Sequence, residues 1–196
     1  MRIRLVALVG VLASVAASAA TAAAPAPWPA PPDPMARAVA AGLTPERHES
    51  FIHHVHAQLD IFVNGSHVRV PAGIGIDIDN PAVHVFPMTD GTKAYGGISR
   101  CAKPCISPLH THDDTGMIHT ESTSPVPNTL GQFFTEWGVA LTRTCVGSYC
   151  HLTKPHIYLD GKPYGGNPRA VKLVDRLEIA IVIGRPPKKI PSKVSF

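Results

Sequence analysis

The sequence predicts a strand-rich α+β fold: a small mixed sheet with one helix packed across it in a β-grasp-like arrangement. A plain β-sandwich is the alternative. Three observations predict it. Twenty prolines and sixteen glycines in 196 residues interrupt the chain too often for long helices. Val55, Ala57, Leu59, Ile61 and Val63 alternate with His54, His56, Gln58 and Asp60, the two-residue period of a half-buried strand. A single stripe at helical spacing, Leu130, Phe133, Phe134 and Trp137, follows Thr129. Hydrophobic residues at 44% and charged residues at 16% exclude a disordered chain and a coiled coil.

Residues 1–22 carry the parts of a secretory signal: Arg2 and Arg4, an apolar run from Leu5 to Ala20, and small residues around Ala19 and Ala22. The run is short for a bilayer span, so a cleaved leader is expected. The mature protein is then exported, periplasmic or extracellular, without a membrane segment. Once Arg2 and Arg4 leave, 16 basic and 14 acidic side chains remain, which gives no footprint for nucleic acid.

Residues 23–43 form a Pro/Ala-rich spacer. Pro25 to Pro34 reads as an extended run. Asp33 as N-cap and Pro34 in the first turn predict a short helix over Met35 to Ala41, ended by Gly42. Residues 44–196 form a single globular domain.

Within that domain the strand over Phe51 to Val63 turns at Asn64-Gly65 and returns over His67 to Val70. Thr129 and Gln132 fit a capping box for the helix, which Gly138 ends. Val139 to Thr144 reads as a strand leading to Cys145. Pro155 to Leu159 and Lys162 to Tyr164 flank Asp160-Gly161 as a second hairpin. Val171 to Leu173 and Leu177 to Ile183, around a turn at Asp175, read as a third.

Cys101, Cys105, Cys145 and Cys150 are an even set, in keeping with an oxidising compartment. Three pairings are possible; Cys101–Cys105 and Cys145–Cys150 are the simplest, because each closes a short loop. The rival is a four-cysteine zinc site, for which the spacings are loose.

Histidine is the compositional excess, eleven in all. The hairpin over residues 106–123 holds L-H-T-H-D-D-T-G-M-I-H-T-E-S. A four-residue loop at Asp113 to Gly116 sets His110 opposite His119, His112 opposite Met117 and Pro108 opposite Glu121. Residues two apart on a strand share a face, and so do opposed partners. His110, His112, His119 and Glu121 therefore project from one face. Three imidazoles and a carboxylate suit zinc, copper or iron(II), and the expected cofactor is a divalent transition metal, zinc or copper. His54 and His56 make a second His-x-His pair, and a strand carrying them beside the hairpin would bring five histidines together. Met117 shares the face, either as a soft ligand or packed beneath the site. His48, His53, His67, His84, His151 and His156 carry no such pattern.

Three functions follow. The first is a metal-binding module. The second is a metalloenzyme, with Glu121 or Asp113 as general base. The third is a non-catalytic structural or interaction domain with merely solvated histidines. Cupins also open on His-x-His, but want their glutamate sooner than Glu121 arrives. Neither a His-Glu-x-x-His helix nor a nucleophile elbow is present.

The segment His110-Thr111-His112-Asp113, Gly116, Ile118-His119-Thr120-Glu121, then Thr129-Leu130-Gly131-Gln132-Phe133-Phe134 and Trp137-Gly138, resembles a family of exported bacterial proteins. The resemblance extends over Leu59 to Asp77 and to Leu177-Glu178-Ile179. It implies a bacterial, exported protein and brings no activity with it.

Overall fold

The structure, a computed structural model, describes residues 27–123, 125, 127–150 and 154–194. The leader over residues 1–22 and His151 lie outside them. The architecture is α+β. One mixed sheet is built from β1 (His53–Val63), β2 (Ser66–Val68), β5 (Leu109–His110), β6 (Met117–Ser122), β9 (His156–Leu159), β10 (Lys162–Tyr164) and β11 (Leu177–Ile183). Its order is β10-β9-β11-β1-β6-β5, with β2 also on β1. Two small ribbons stand apart from it, β3 (His84–Pro87) with β4 (Lys93–Gly96), and β7 (Cys145–Val146) with β8 (Tyr149–Cys150).

The long strand β1 organises the sheet. Its C-terminal half pairs with β2 and its N-terminal half with β6, both antiparallel, while β11 runs parallel along the other edge. The β1–β2 turn follows the Asn-Gly chemistry, with Asn64 at φ 52 and Gly65 at φ 87, left-handed values that both central residues of such a hairpin require. Asp160 and Gly161 do the same between β9 and β10.

The alternation along β1 sorts the two faces. Ala57, Leu59 and Ile61 join Ile118, Leu109, Ile179 and Ile181 on the face covered by helix α2 (Leu130–Trp137). That helix presses Leu130, Phe133, Phe134 and Trp137 onto the sheet, all at most 2% exposed. Thr129 and Gln132 form the reciprocal capping box, and Gly138 closes the helix at φ 74. The opposite face carries His54, His56, Gln58 and Asp60.

Four segments differ from the sequence reading. The short helix α1 spans Pro34–Ala40, and the Asp33 side chain makes no cap; it binds Arg37 Nε at 3.3 Å instead. The Pro/Ala-rich stretch is packed on the domain from Trp28 on. Trp28 meets Trp137 edge-on at 5.8 Å and accepts the Trp137 indole N–H at its carbonyl, 3.2 Å away. Val139 to Thr144 is not a strand: the chain folds back locally, with Gly147 N bonded to Ala140 O and Thr142 N to Cys145 O. The third hairpin is absent, because β9 and β1 already occupy both edges of β11. Val171 and Leu173 instead bond back to Leu130 and Asn128, pinning the start of α2.

The close disulfide pairs are both formed, Cys101–Cys105 and Cys145–Cys150. That removes the four-cysteine zinc alternative.

Candidate metal centre

Three adjacent strands build the site, with β6 in the middle. On one side His110 of β5 stands opposite His119. On the other, His56 of β1 stands opposite His119 and His54 opposite Glu121. The pairing of His110 with His119 is therefore the one read from the sequence, and the second His-x-His pair lies beside it. His110, His112, His119 and Glu121 form one group whose donor atoms all lie within 4.8 Å of one another; His54, His56 and His119 form another.

His112 departs from the expected register. The strand β5 ends at His110, and Thr111 leaves to pair with the preceding loop: Thr111 N bonds Ile74 O at 3.1 Å, and Gly73 N bonds Thr111 O at 2.9 Å. His112 thus does not oppose Met117, which pairs with Gln58 of β1 instead. The strand β4 holds His112 in place, through Tyr95 N on its carbonyl at 2.9 Å and through its ring Nδ1 on Tyr95 O at 2.6 Å. His110 is anchored likewise, Nδ1 on Ser107 O at 2.9 Å.

These two anchors decide the chemistry. A carbonyl only accepts, so each Nδ1 carries the hydrogen, and each neutral ring turns its Nε2 lone pair inward. The two Nε2 atoms are 3.3 Å apart. Two lone pairs at that distance require a cation between them or a proton on one of them. Donors on a tetrahedral zinc with Zn–N of about 2.0–2.1 Å are spaced about 3.3–3.4 Å apart. Glu121 closes the group. Its Oε1 lies 3.2 Å from His119 Nδ1, 3.1 Å from His54 Nε2 and 3.7 Å from His112 Nε2. Its Oε2, 3.9 Å from His110 Nε2, is buried without a hydrogen-bond partner.

Burial grades across the site. The His110 side chain is fully buried and Glu121 is 3% exposed, whereas His54 is 35% exposed. Burial, then the neighbouring His112, pushes His110 down to about 3, so it stays neutral. For His112 burial acts the same way, but the Glu121 carboxylate, the Tyr95 carbonyl and Glu49 outweigh it and raise its pKa. Burial alone would raise Glu121; its contacts with His112 and His119 reverse this and keep it ionised, well below the usual carboxylate range.

Asp113 takes no part. Its carboxylate accepts from Thr115 N at 3.0 Å and Thr115 Oγ1 at 2.6 Å, holding the loop turn. Met117 lines a cleft of about 480 Å³ with His56, His119, Asp175 and Arg176. Glu49 escaped the sequence reading. Its buried Oε1 has no hydrogen-bond partner, and it lies near Gly96, whose missing side chain leaves room for the His112 ring. The glycine pair at 96 and 97, ending a short strand, is the one signal of this close approach. Of the remaining histidines, His67 pairs with Asp60 at 3.0 Å, His84 stands on β3 opposite Gly96, and His156 stands on β9, beyond β11 from β1.

No protein-family description, curated protein or solved structure matches this chain.

Proposed function

We propose that this chain is an exported metal-binding protein that holds zinc or copper on His110, His112, His119 and Glu121. The observation that carries the proposal is the pair of inward Nε2 atoms, 3.3 Å apart, each fixed by a carbonyl on its Nδ1. A bound ion would satisfy both lone pairs and the unpartnered Glu121 Oε2 together. Ligand side chains pre-set by outer hydrogen bonds are the mark of a metal centre. Export is supported by the two disulfides and by the leader pattern of residues 1–22. Among the described residues no helix is long and apolar enough to cross a membrane. The resemblance to exported bacterial proteins points the same way.

A metalloenzyme is the second reading, favoured by the cleft that opens at His56 and His119. Such a site would supply a polarised water, and Glu49 or Glu121 would hold its proton.

Elemental analysis of exported protein purified without chelator tests the proposal: a stoichiometric transition ion is expected. In zinc(II) and copper(II) titrations, His119→Ala and His110→Ala should lose most of the affinity, while His156→Ala keeps it. A proton on His112 satisfies the same lone pairs, and Glu121 and the Tyr95 carbonyl favour that proton, so affinity should begin to fall above the ordinary imidazole value of about 6.5 as pH is lowered. Protein without any ion, and equal behaviour of wild type and His119→Ala, would refute it. N-terminal sequencing should start between Ala20 and Pro25; retention of Met1 would refute the cleaved leader.

A further inference from the structure

We infer that the protein holds two neighbouring divalent ions rather than one: an inner ion on His110, His112, His119 and Glu121, as above, and an outer ion on His54 and His56, on the open side of His119. The inference rests on the metal-binding reading above and extends it from one ion to a pair.

The first argument is a count of donors. Five imidazoles and one carboxylate converge, whereas zinc in a protein takes about four ligands. A single ion leaves the outer histidines over. The second is topology. The middle strand β6 faces a histidine strand on each side, His110 across from His119 on one and His56 across from His119 on the other. The His119 ring centroid lies 4.4 Å from that of His112 and 4.5 Å from that of His56. His119 accordingly belongs to both donor groups.

The third argument is the carboxylate between them. Glu121 Oε1 lies 3.1 Å from His54 Nε2, and Oε2 lies on the side of His110. One carboxylate thus presents an oxygen to each position. Two further carboxylates flank the pair and offset its charge: Glu49 by His112, and Asp175, whose Oδ1 accepts His56 N at 3.2 Å. The two positions differ in access. The inner one is the more buried, on His110 and Glu121, while the outer one opens on the cleft of Met117, Asp175 and Arg176. The inner ion should load first and leave last.

The test uses the full exported chain, stripped with chelator and titrated with zinc(II). Two equivalents are expected, the first at least about tenfold tighter than the second. The His54→Ala/His56→Ala variant should take one equivalent, with the first dissociation constant unchanged within about threefold. Copper(II) adds a spectroscopic signature: two equivalents on wild type should give an electron paramagnetic resonance signal weakened by coupling between neighbours. One equivalent on the double variant should give the full signal of an isolated ion. Circular dichroism confirms folding; the wild-type stoichiometry and copper signal decide the matter should the double variant not fold. One equivalent on wild type, or two on the double variant, would overturn the ion pair and leave the metal-binding reading standing. No bound ion at all would overturn both.

Discussion

The imidazole of His112 has almost no freedom to move. Its Nδ1 is held by Tyr95 O at 2.6 Å, and a methyl group at position 96 would stand 2.9 Å from that nitrogen and 3.2 Å from Cε1. Real side-chain carbons do not approach ring atoms so closely, so the ring or the strand must shift. Gly96→Ala is therefore expected to turn Nε2 away from His110. Changes to groups that orient a ligand cost about 10–100-fold in metal affinity. Zinc titration of Gly96→Ala beside His112→Ala checks this, with the melting temperature of each as the control for folding. Wild-type affinity in a folded Gly96→Ala protein would show that the tether on His112 is irrelevant.

At the scale of elements, the strand face that carries the histidines continues into a patch of acids. Glu178 of β11 lies opposite Gln58 and is 2% exposed. Burial first, and then the charge of Asp60, its hydrogen bond and the charge of Asp160, raise its pKa to about 8. A carboxyl with a folded pKa above its unfolded value near 4.5 stabilises the fold fully only below the latter. As pH rises from there, the unfolded chain ionises freely and the folded one does not. Stability falls until pH passes about 8 and then levels. Glu178→Gln should remove this slope, matching wild type near pH 4 and exceeding it near pH 8. Melting temperatures of both proteins across that range decide it; parallel curves would mean that Glu178 ionises as it does in water.

For the whole molecule, the two disulfides brace different regions. Cys101–Cys105 lies in a small satellite core with Ile76, Val83, Ile98 and Ile106. Ser107, which anchors His110, directly follows Ile106 of that core, and Tyr95, which anchors His112, packs against it. Cys145–Cys150 lies in the ribbon whose Tyr149 packs on Trp28, beside α2. In the chain-entropy account, closing loops this short stabilises by about 2 kcal/mol each. Replacing either pair with serine should cost roughly that amount in a denaturant titration. Only the Cys101/Cys105 variant should also lose zinc affinity. Equal zinc affinity in both variants would show that the satellite core does not position the histidines. The intact oxidised protein should weigh about four mass units less than its reduced form, two hydrogens per bridge.

Local rules determined much of this protein from its sequence alone. A two-residue period assigns faces without reference to the rest of the chain, so the shared face of His110, His119 and Glu121, and that of His54 and His56, was legible. Turn chemistry at Asn64-Gly65 and Asp160-Gly161 and the capping box at Thr129 are likewise local, and each stands where it was read. Tertiary structure alone decided which strands became neighbours. It placed β1 beside β6, which turned two histidine pairs into one cluster, and it gave both edges of β11 to β1 and β9, which left Val171 to Leu173 outside the sheet. The reason is that neighbours are chosen by joint burial of apolar faces far apart in sequence, here beneath α2. The groups that aim the rings were hidden for a second reason: they are the backbone carbonyls of Ser107 and Tyr95, and every residue has a carbonyl. Only the path of the folded chain distinguishes those two from the rest.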